Sequence, residues 1–151
     1  MKKRIDLSRV GHGAFGAMYA LEQHVRQSGL EKPLLELVKL RVSYMNRCAY
    51  CVDMHTKDAR AEGETEQRLF AVPVWRETQF FTPRERDALE WAELTTAIGA
   101  QGVSDEAFAS ARTEFGEEEL VELTMAVIAI NGWNRLAISF ATEPGSYARQ
   151  G

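Results

Sequence analysis

The chain has 151 residues, of which 45% are hydrophobic and 26% are charged, and its formal net charge at pH 7 is −4. This size and composition fit one domain with a core of its own, so we expect a single domain over residues 1–151. The slight negative charge excludes the basic surface that a nucleic-acid-binding protein needs. The most apolar stretch, 120–140, is interrupted by Glu122 and Arg135 among other polar residues, which excludes a membrane span.

Helical periodicity dominates the sequence, and no segment has the alternation typical of strands, so we predict an all-α fold built as a helical bundle. Thr82 followed by Glu85 is the signature of a capping box, and Pro83 suits the first turn of the helix that they open. The predicted helices run over about 8–27, 33–45 and 48–62, then from about 65, 83 and 104, and finally over 117–140.

The last predicted helix is apolar on nearly every side. Met125 to Ile130 is an uninterrupted apolar run, and Trp133 follows it. A helix of this kind must be buried in the core or against a partner. We therefore expect the chain to form a homo-oligomer.

The two cysteines, Cys48 and Cys51, are the only ones in the chain and lie three positions apart. A structural disulfide stabilises most when it closes a long loop, and this pair would close almost none. Asp6 and Arg9 interrupt any apolar run behind the basic N-terminus, so we identify no secretory signal and expect a cytoplasmic protein. Redox chemistry or metal binding therefore explains the pair better than stability does.

The cysteines belong to a stripe of reactive side chains. Cys48, Cys51 and His55 follow each other at steps of three and four residues, which puts all three on one face of a helix. A thiolate is the nucleophilic form of cysteine, and helix N-termini and basic neighbours favour it. His55 could take the Cys51 proton or stabilise the thiolate, and Cys48 could then attack an oxidised Cys51 to form a disulfide.

Glu36 is the fourth candidate. It lies ten residues before Asn46, and His55 lies eight residues after Arg47, so two helices that fold back on each other would bring Glu36 level with Cys51 and His55. A half-buried carboxylate there could accept a proton or orient the imidazole. On sequence alone, a solvated Glu36, a His55 that only packs and two inert thiols stay open as alternatives.

Zinc binding is the main rival chemistry for the same residues. Cys48, Cys51, His55 and Glu36 are all acceptable zinc ligands. However, the chain has no second cysteine pair, and a pair that opens a helix differs from the usual zinc-binding turn. Tyr50, between the two cysteines, is interpreted as a packing residue, and whether it has a chemical role stays open.

Six segments carry a resemblance to a known family. They are 36–41, 46–51 with His55, 55–60, 63–68, 75–77 and 131–135. Together they are similar to the AhpD-like alkylhydroperoxidases, the branch of the carboxymuconolactone decarboxylase superfamily that contains a Cys-x-x-Cys pair. The resemblance extends over about residues 30–140.

This resemblance implies an all-helical fold that assembles as trimers or hexamers. It also implies a thiol peroxidase for hydrogen peroxide or small organic hydroperoxides, in which Cys51 attacks the peroxide and Cys48 forms the disulfide. His55 and Glu36 match the family's proton relay. A dithiol donor, such as a lipoyl-bearing or thioredoxin-like protein, would reduce the disulfide. We expect no bound cofactor, because the sequence has no nucleotide or flavin fingerprint.

The sequence departs from the family pattern at Tyr50. Some peroxidases of the family carry a histidine immediately before the second cysteine, so the relay here is expected to be shorter or the activity weaker. The decarboxylase branch lacks the cysteine pair, which argues against a lactone decarboxylase. Two alternatives stay open: a disulfide reductase or redox stress sensor with little peroxidase turnover, and a zinc-stabilised or purely structural helical module.

Overall fold

The computed structural model describes residues 3–100 and 102–149, so residues 1, 2, 101, 150 and 151 of the expected domain lie outside it. Every regular element in the described ranges is a helix and none is a strand. The all-α prediction is confirmed, while the single domain over 1–151 stays a prediction. The elements are α1 (Leu7–Val10), α2 (His12–Arg26), α3 (Lys32–Met45), α4 (Ala49–Ala61), α5 (Glu66–Ala71), a 3₁₀ helix (Val72–Glu77), α6 (Pro83–Thr96), α7 (Asp105–Glu114) and α8 (Glu117–Ser139).

The first predicted helix is two helices, because the chain bends at Gly11. A Cβ atom on Gly11 would lie 2.9 Å from the carbonyl oxygen of Leu7 and 3.0 Å from the ring of Phe15, so only glycine fits this bend. The prediction of one continuous helix over 8–27 was wrong for this reason. The predicted capping box is confirmed, because Thr82 and Glu85 bond to each other's backbone N–H groups at the start of α6.

Helix α3 lies at the centre of the fold and packs against α4, α6 and α8. Leu34 and Val38 face a core cluster that includes residues of α6 and α8, whereas Leu37 and Leu40 face a second cluster with α5 and the 3₁₀ helix. Burial of each of these side chains contributes roughly 1.5–3 kcal/mol. Packing on both sides fixes α3 in place, and with it Glu36 on the face toward α4.

Helix α8 is buried along one side within the chain. Leu123, Val127 and Ile130 are at most 1% exposed, whereas Val121 is 61% and Ile128 is 52% exposed. The core of the chain therefore buries one face of α8, as expected for so apolar a helix. A homo-oligomer that covers the other face stays a prediction. Neither α8 nor any other helix in the described ranges has the length and hydropathy needed to cross a membrane.

Candidate active site

The cysteines lie at the junction between α3 and α4. Asn46 ends α3, Arg47 takes a left-handed conformation with a φ of 58°, and Cys48 is the extended residue before α4. A left-handed conformation is costly for a residue with a Cβ atom. The backbone N–H of Cys48 closes this turn by donating to the carbonyl of Ser43 at 3.0 Å. The reversal puts α3 and α4 side by side.

Cys48 and Cys51 form a disulfide, with their Cα atoms 5.3 Å apart. Both residues are buried. The N–H of Cys51 donates to Cys48 Sγ at 3.3 Å, so the first cysteine caps the helix that contains the second. Cys51 lies in the first turn of α4, where the helix dipole favours a thiolate once the disulfide is reduced.

His55 follows Cys51 by one turn and is fixed by Glu36 of α3. The Nδ1 atom of His55 lies 2.8 Å from Glu36 Oε2, and the two side chains are 5% and 15% exposed. When Nδ1–H donates to the carboxylate, Nε2 of the neutral ring is the proton acceptor. Nε2 is buried and has no hydrogen-bond partner among the described residues, so the chain leaves this nitrogen available to a reacting group.

The carboxyl group of Glu36 is held in its ionised form. Burial raises its pKa, whereas the hydrogen bond from His55 and the charge of that ring lower it. The positive charges of Lys39 and Arg26 lower it further, and the net pKa lies below the usual 4.5. Glu36 is therefore a carboxylate at neutral pH, which suits it to orient the imidazole and to stabilise the protonated ring.

A buried ion pair beside Glu36 was not found by sequence reasoning. Lys39 is 3% exposed, and its Nζ donates to Glu22 Oε1 at 2.6 Å. Arg26 donates to the same oxygen at 3.3 Å. The apolar neighbours of Lys39 in the sequence were the available signal, because a lysine on a buried helix face requires a partner.

Residues 142–149, which we name the C-terminal strap, run along α4. The Tyr147 hydroxyl donates to Asp58 Oδ1 at 2.8 Å, and Lys57 Nζ donates to the carbonyl of Tyr147 at 3.0 Å. Burial and the bond to Asp58 raise the pKa of Tyr147 to about 12, so its hydroxyl stays protonated. The strap brings a neutral phenol to the site that no local motif indicated.

Glu36, His55 and Asp58 form a group with metal-binding potential. Each offers one ligand atom, and these atoms lie within 4.8 Å of one another. Two carboxylates and an imidazole suit a divalent cation such as zinc. The zinc ligands considered from the sequence included both cysteines, but in this structure the two sulfur atoms are bonded to each other.

Two adjoining cavities border the site. The first, which we name the chamber, has a volume of about 340 Å³ and is lined by Cys51, His55 and residues of α2 and α8. The second, which we name the cleft, has a volume of about 740 Å³ and extends toward Lys32, Glu62 and Arg149. Cys51 lines the chamber, whereas Cys48 lines neither cavity. The residues common to both cavities are Arg26, Glu36, Lys39, Tyr50, Asp58 and Tyr147.

Tyr50 belongs to the wall of both cavities. Burial raises its pKa, and the neighbouring Tyr19 and Asp53 add to that effect, so the hydroxyl is neutral at pH 7. The sequence interpretation treated Tyr50 as a packing residue. Tyr50 is therefore a neutral hydrogen-bonding residue in the cavity wall, and it directly precedes Cys51 in the chain.

A buried amide network fixes the turn before Cys48. Asn46 Nδ2 donates to Asn131 Oδ1 and to Asn134 Oδ1, both at 2.9 Å. Asn134 is fully buried, and its Nδ2 donates to Ser43 Oγ at 3.2 Å. Helix α8 therefore holds the α3–α4 junction in place, and with it the disulfide.

The sequence and fold of this chain recur in known proteins. A profile of the carboxymuconolactone decarboxylase family matches residues 13–94. The uncharacterized protein YdfG of Bacillus subtilis is 38% identical over 146 residues, which are 97% of this chain and 99% of YdfG. A crystal structure of a protein of unknown function from Agrobacterium tumefaciens, suggested to be the antioxidant defence protein AhpD, is 42% identical with a TM-score of 0.92, covering 97% of this chain and 100% of that one. The AhpD core of a peroxidase-related protein from Ralstonia eutropha shares the fold at 22% identity and a TM-score of 0.82, covering 93% of this chain and 74% of that one.

Proposed function

Because this chain belongs to the carboxymuconolactone decarboxylase family and is similar to AhpD-type proteins, we propose that it is a thiol-dependent peroxidase. One observation carries the proposal. Cys51 lines the chamber, is bonded to Cys48, and lies one helical turn before His55, which is paired with Glu36. The proposed substrates are hydrogen peroxide and organic hydroperoxides.

In the first step, the reduced Cys51 attacks the peroxide. His55 Nε2 accepts the thiol proton, and the carboxylate of Glu36 stabilises the imidazolium that forms. The Cys51 thiolate then forms a bond to one peroxide oxygen while the O–O bond breaks. The leaving oxygen takes the proton from His55 and departs as an alcohol, or as water from hydrogen peroxide. Cys51 is left as a sulfenic acid.

In the second step, Cys48 resolves the sulfenic acid. Its sulfur attacks the sulfur of Cys51, the S–O bond breaks, and the hydroxyl leaves as water with the proton of the Cys48 thiol. In the disulfide the two Cα atoms are 5.3 Å apart, which lies within the usual range for such a bond. The two electrons that reduced the peroxide are thus supplied by the two thiols.

In the third step, a dithiol donor restores the two thiols. One thiolate of the donor attacks the disulfide to give a mixed disulfide, and its second thiol releases the donor in oxidised form. A lipoyl-bearing or thioredoxin-like protein is the proposed donor. No step needs a bound organic cofactor.

The first test is a thiol titration of pre-reduced, metal-free protein before and after one equivalent of cumene hydroperoxide. We expect the wild type to lose both thiols rapidly. The Cys51→Ser variant should keep its Cys48 thiol, because Cys48 lines neither cavity. The Cys48→Ser variant should instead convert Cys51 to a sulfenic acid that a dimedone-type probe traps. Wild-type thiols that survive the peroxide would refute the proposal.

Two rival functions are distinguished by peroxide consumption under excess dithiol and by the metal content of the protein as purified. A disulfide reductase or stress sensor would be oxidised once but would consume little peroxide under excess dithiol. A zinc-stabilised module is the second candidate, favoured by the close ligand atoms of Glu36, His55 and Asp58. It predicts stoichiometric zinc that must be removed before either thiol reacts.

We also propose that the protein is a homo-oligomer, either a trimer or a hexamer. The exposed apolar side chains of α8, Val121 and Ile128, support this proposal, because such side chains are stabilised when a partner covers them. Light scattering at micromolar concentration tests it. A monomeric mass would contradict the proposed assembly.

A further inference from the structure

One wall of the chamber is aromatic. Phe15 and Tyr19 of α2 and Trp133 of α8 line it, and their ring centroids are 5.9, 5.7 and 5.5 Å apart in the three pairs. Tyr19 is 56% exposed although it contacts both other rings, so the cluster is not closed core. Leu136 and Ala137, one turn after Trp133, continue the apolar lining.

The chamber is much larger than hydrogen peroxide requires. One water molecule occupies about 30 Å³ in the liquid, and hydrogen peroxide is only slightly larger. A volume of about 340 Å³ matches the lower range of cavities that hold organic ligands of the size of a substituted benzene. If the peroxide group is at Cys51, an organic substituent of that size has room against the aromatic wall.

The charges in the chamber argue against an anionic substrate. Among the described residues, the lining holds three carboxyl side chains, Glu22, Glu36 and Asp58, against two cationic side chains, Arg26 and Lys39. Both cationic side chains donate to Glu22, and the ammonium of Lys39 is buried in that contact. Glu36 is ionised, and Asp58 is a further carboxyl group in the lining. A hydroperoxide of a fatty acid would therefore meet like charge, whereas an uncharged one would not.

Building on the proposed function, we infer that the chamber binds the organic part of an uncharged aromatic hydroperoxide and that Phe15, Tyr19 and Trp133 set this preference. The O–O group then reacts with Cys51, and the aryl group packs on the three rings. Each aromatic contact strengthens binding by roughly two- to tenfold. An aryl hydroperoxide should accordingly outcompete an alkyl hydroperoxide of similar reactivity.

The test compares kcat/KM for four peroxides under dithiothreitol: cumene hydroperoxide, tert-butyl hydroperoxide, linoleic acid hydroperoxide and hydrogen peroxide. We expect cumene hydroperoxide to exceed the tert-butyl and linoleic acid compounds by roughly tenfold or more. Ala137→Phe would fill the chamber, and Trp133→Leu would remove one ring. Either variant should lower the ratio of cumene to hydrogen peroxide activity at least several-fold. Phe108→Leu, which changes an exposed ring on α7, is the matched control and should leave the ratio unchanged.

A binding experiment separates the two proposals. The probe is 2-phenyl-2-propanol, the alcohol formed from cumene hydroperoxide, and 2-methyl-2-propanol is its alkyl counterpart. Binding of each alcohol is measured by ligand-observed NMR on the oxidised wild type, Ala137→Phe and Trp133→Leu. Binding of the aryl alcohol that both variants weaken supports the chamber even if no peroxide is turned over, in which case only the peroxidase proposal fails. Equal binding of the two alcohols, or variants that bind like wild type, overturns the inference while peroxidase activity can stand.

Discussion

The Nδ1 atom of His55 lies 2.8 Å from a carboxylate oxygen of Glu36, which is 19 residues earlier and on the preceding helix. The contact depends on the turn at Asn46 and Arg47, which folds α4 back along α3. It fixes the orientation of the imidazole and leaves Nε2 as the nitrogen that can exchange a proton. An unremarkable helix carboxylate thereby becomes part of the candidate site.

Replacing Glu36 by glutamine should slow the oxidation of Cys51. The amide keeps the size of the side chain but cannot stabilise a positive imidazolium, so proton transfer from the thiol is impaired. We expect the rate to fall roughly ten- to a hundredfold, measured by stopped-flow thiol oxidation with hydrogen peroxide. Glu62→Gln is the control, since Glu62 borders the cleft and pairs with Arg149. Equal rates for Glu36→Gln and wild type would exclude a role in the relay.

The stability that Glu36 contributes should be lost in acid. Its pKa in the folded chain is lowered below the ordinary 4.5, so the unfolded chain takes up the proton first as pH falls. The contribution is complete above about pH 4.5 and is lost as pH falls through the lower, folded pKa. Urea unfolding should give a difference in stability between wild type and Glu36→Gln that becomes smaller as pH falls below 4.5. A difference that stays constant or grows below pH 4.5 would contradict this prediction.

The buried pair of Lys39 and Glu22 should respond unequally to loss of either partner. Glu22→Gln removes the carboxylate to which the buried Lys39 ammonium donates, and we expect a cost of roughly 3–5 kcal/mol. Lys39→Met should cost less, because Arg26 still bonds to Glu22. Urea unfolding of both single variants and of the double variant gives the coupling free energy between Lys39 and Glu22. The opposite order of the two single variants would show that Lys39 is stabilised by other groups.

Loss of the Asn134 side chain should destabilise the turn that precedes the disulfide. Asn134→Ala removes a fully buried amide and leaves Ser43 and Asn46 each with one hydrogen bond fewer. We expect unfolding to become easier by roughly 1–3 kcal/mol. Thermal or urea unfolding measures this, with the exposed Gln23→Ala on α2 as the comparison. Unchanged stability would show that water replaces the amide at no cost.

Much of the fold could be predicted because its signals are local. Thr82 and Glu85 open α6, and Ser104 caps α7, through contacts within one helical turn. The bend at Gly11 was missed because it depends on a close approach to the Leu7 carbonyl that periodicity does not reveal. The 3₁₀ helix over 72–77 was also not predicted.

The candidate site was predictable where the helical spacing reaches. The spacing from Cys48 to His55, together with the equal rise per residue of two packed helices, was enough to predict that Glu36 lies at the level of the His55 imidazole. Tyr147 could not be found in this way, because its partner Asp58 is 89 residues earlier in the chain. The same holds for the aromatic wall and for the pairing of Lys39 with Glu22, since each joins helices whose packing no short motif specifies.

The amide network also restrains the deamidation of Asn131. Asn131 precedes Gly132, and in a mobile chain the glycine nitrogen of such a pair attacks the asparagine side chain, forms a succinimide and releases ammonia. Here the side chain is immobilised: its Nδ2 donates to Thr96, while its Oδ1 accepts from Asn46 and Arg135. The helical backbone of α8 keeps the attacking nitrogen in place as well. Local opening of α8 would remove both restraints, so a reversible fluctuation could become permanent deamidation at the residue that anchors the disulfide turn.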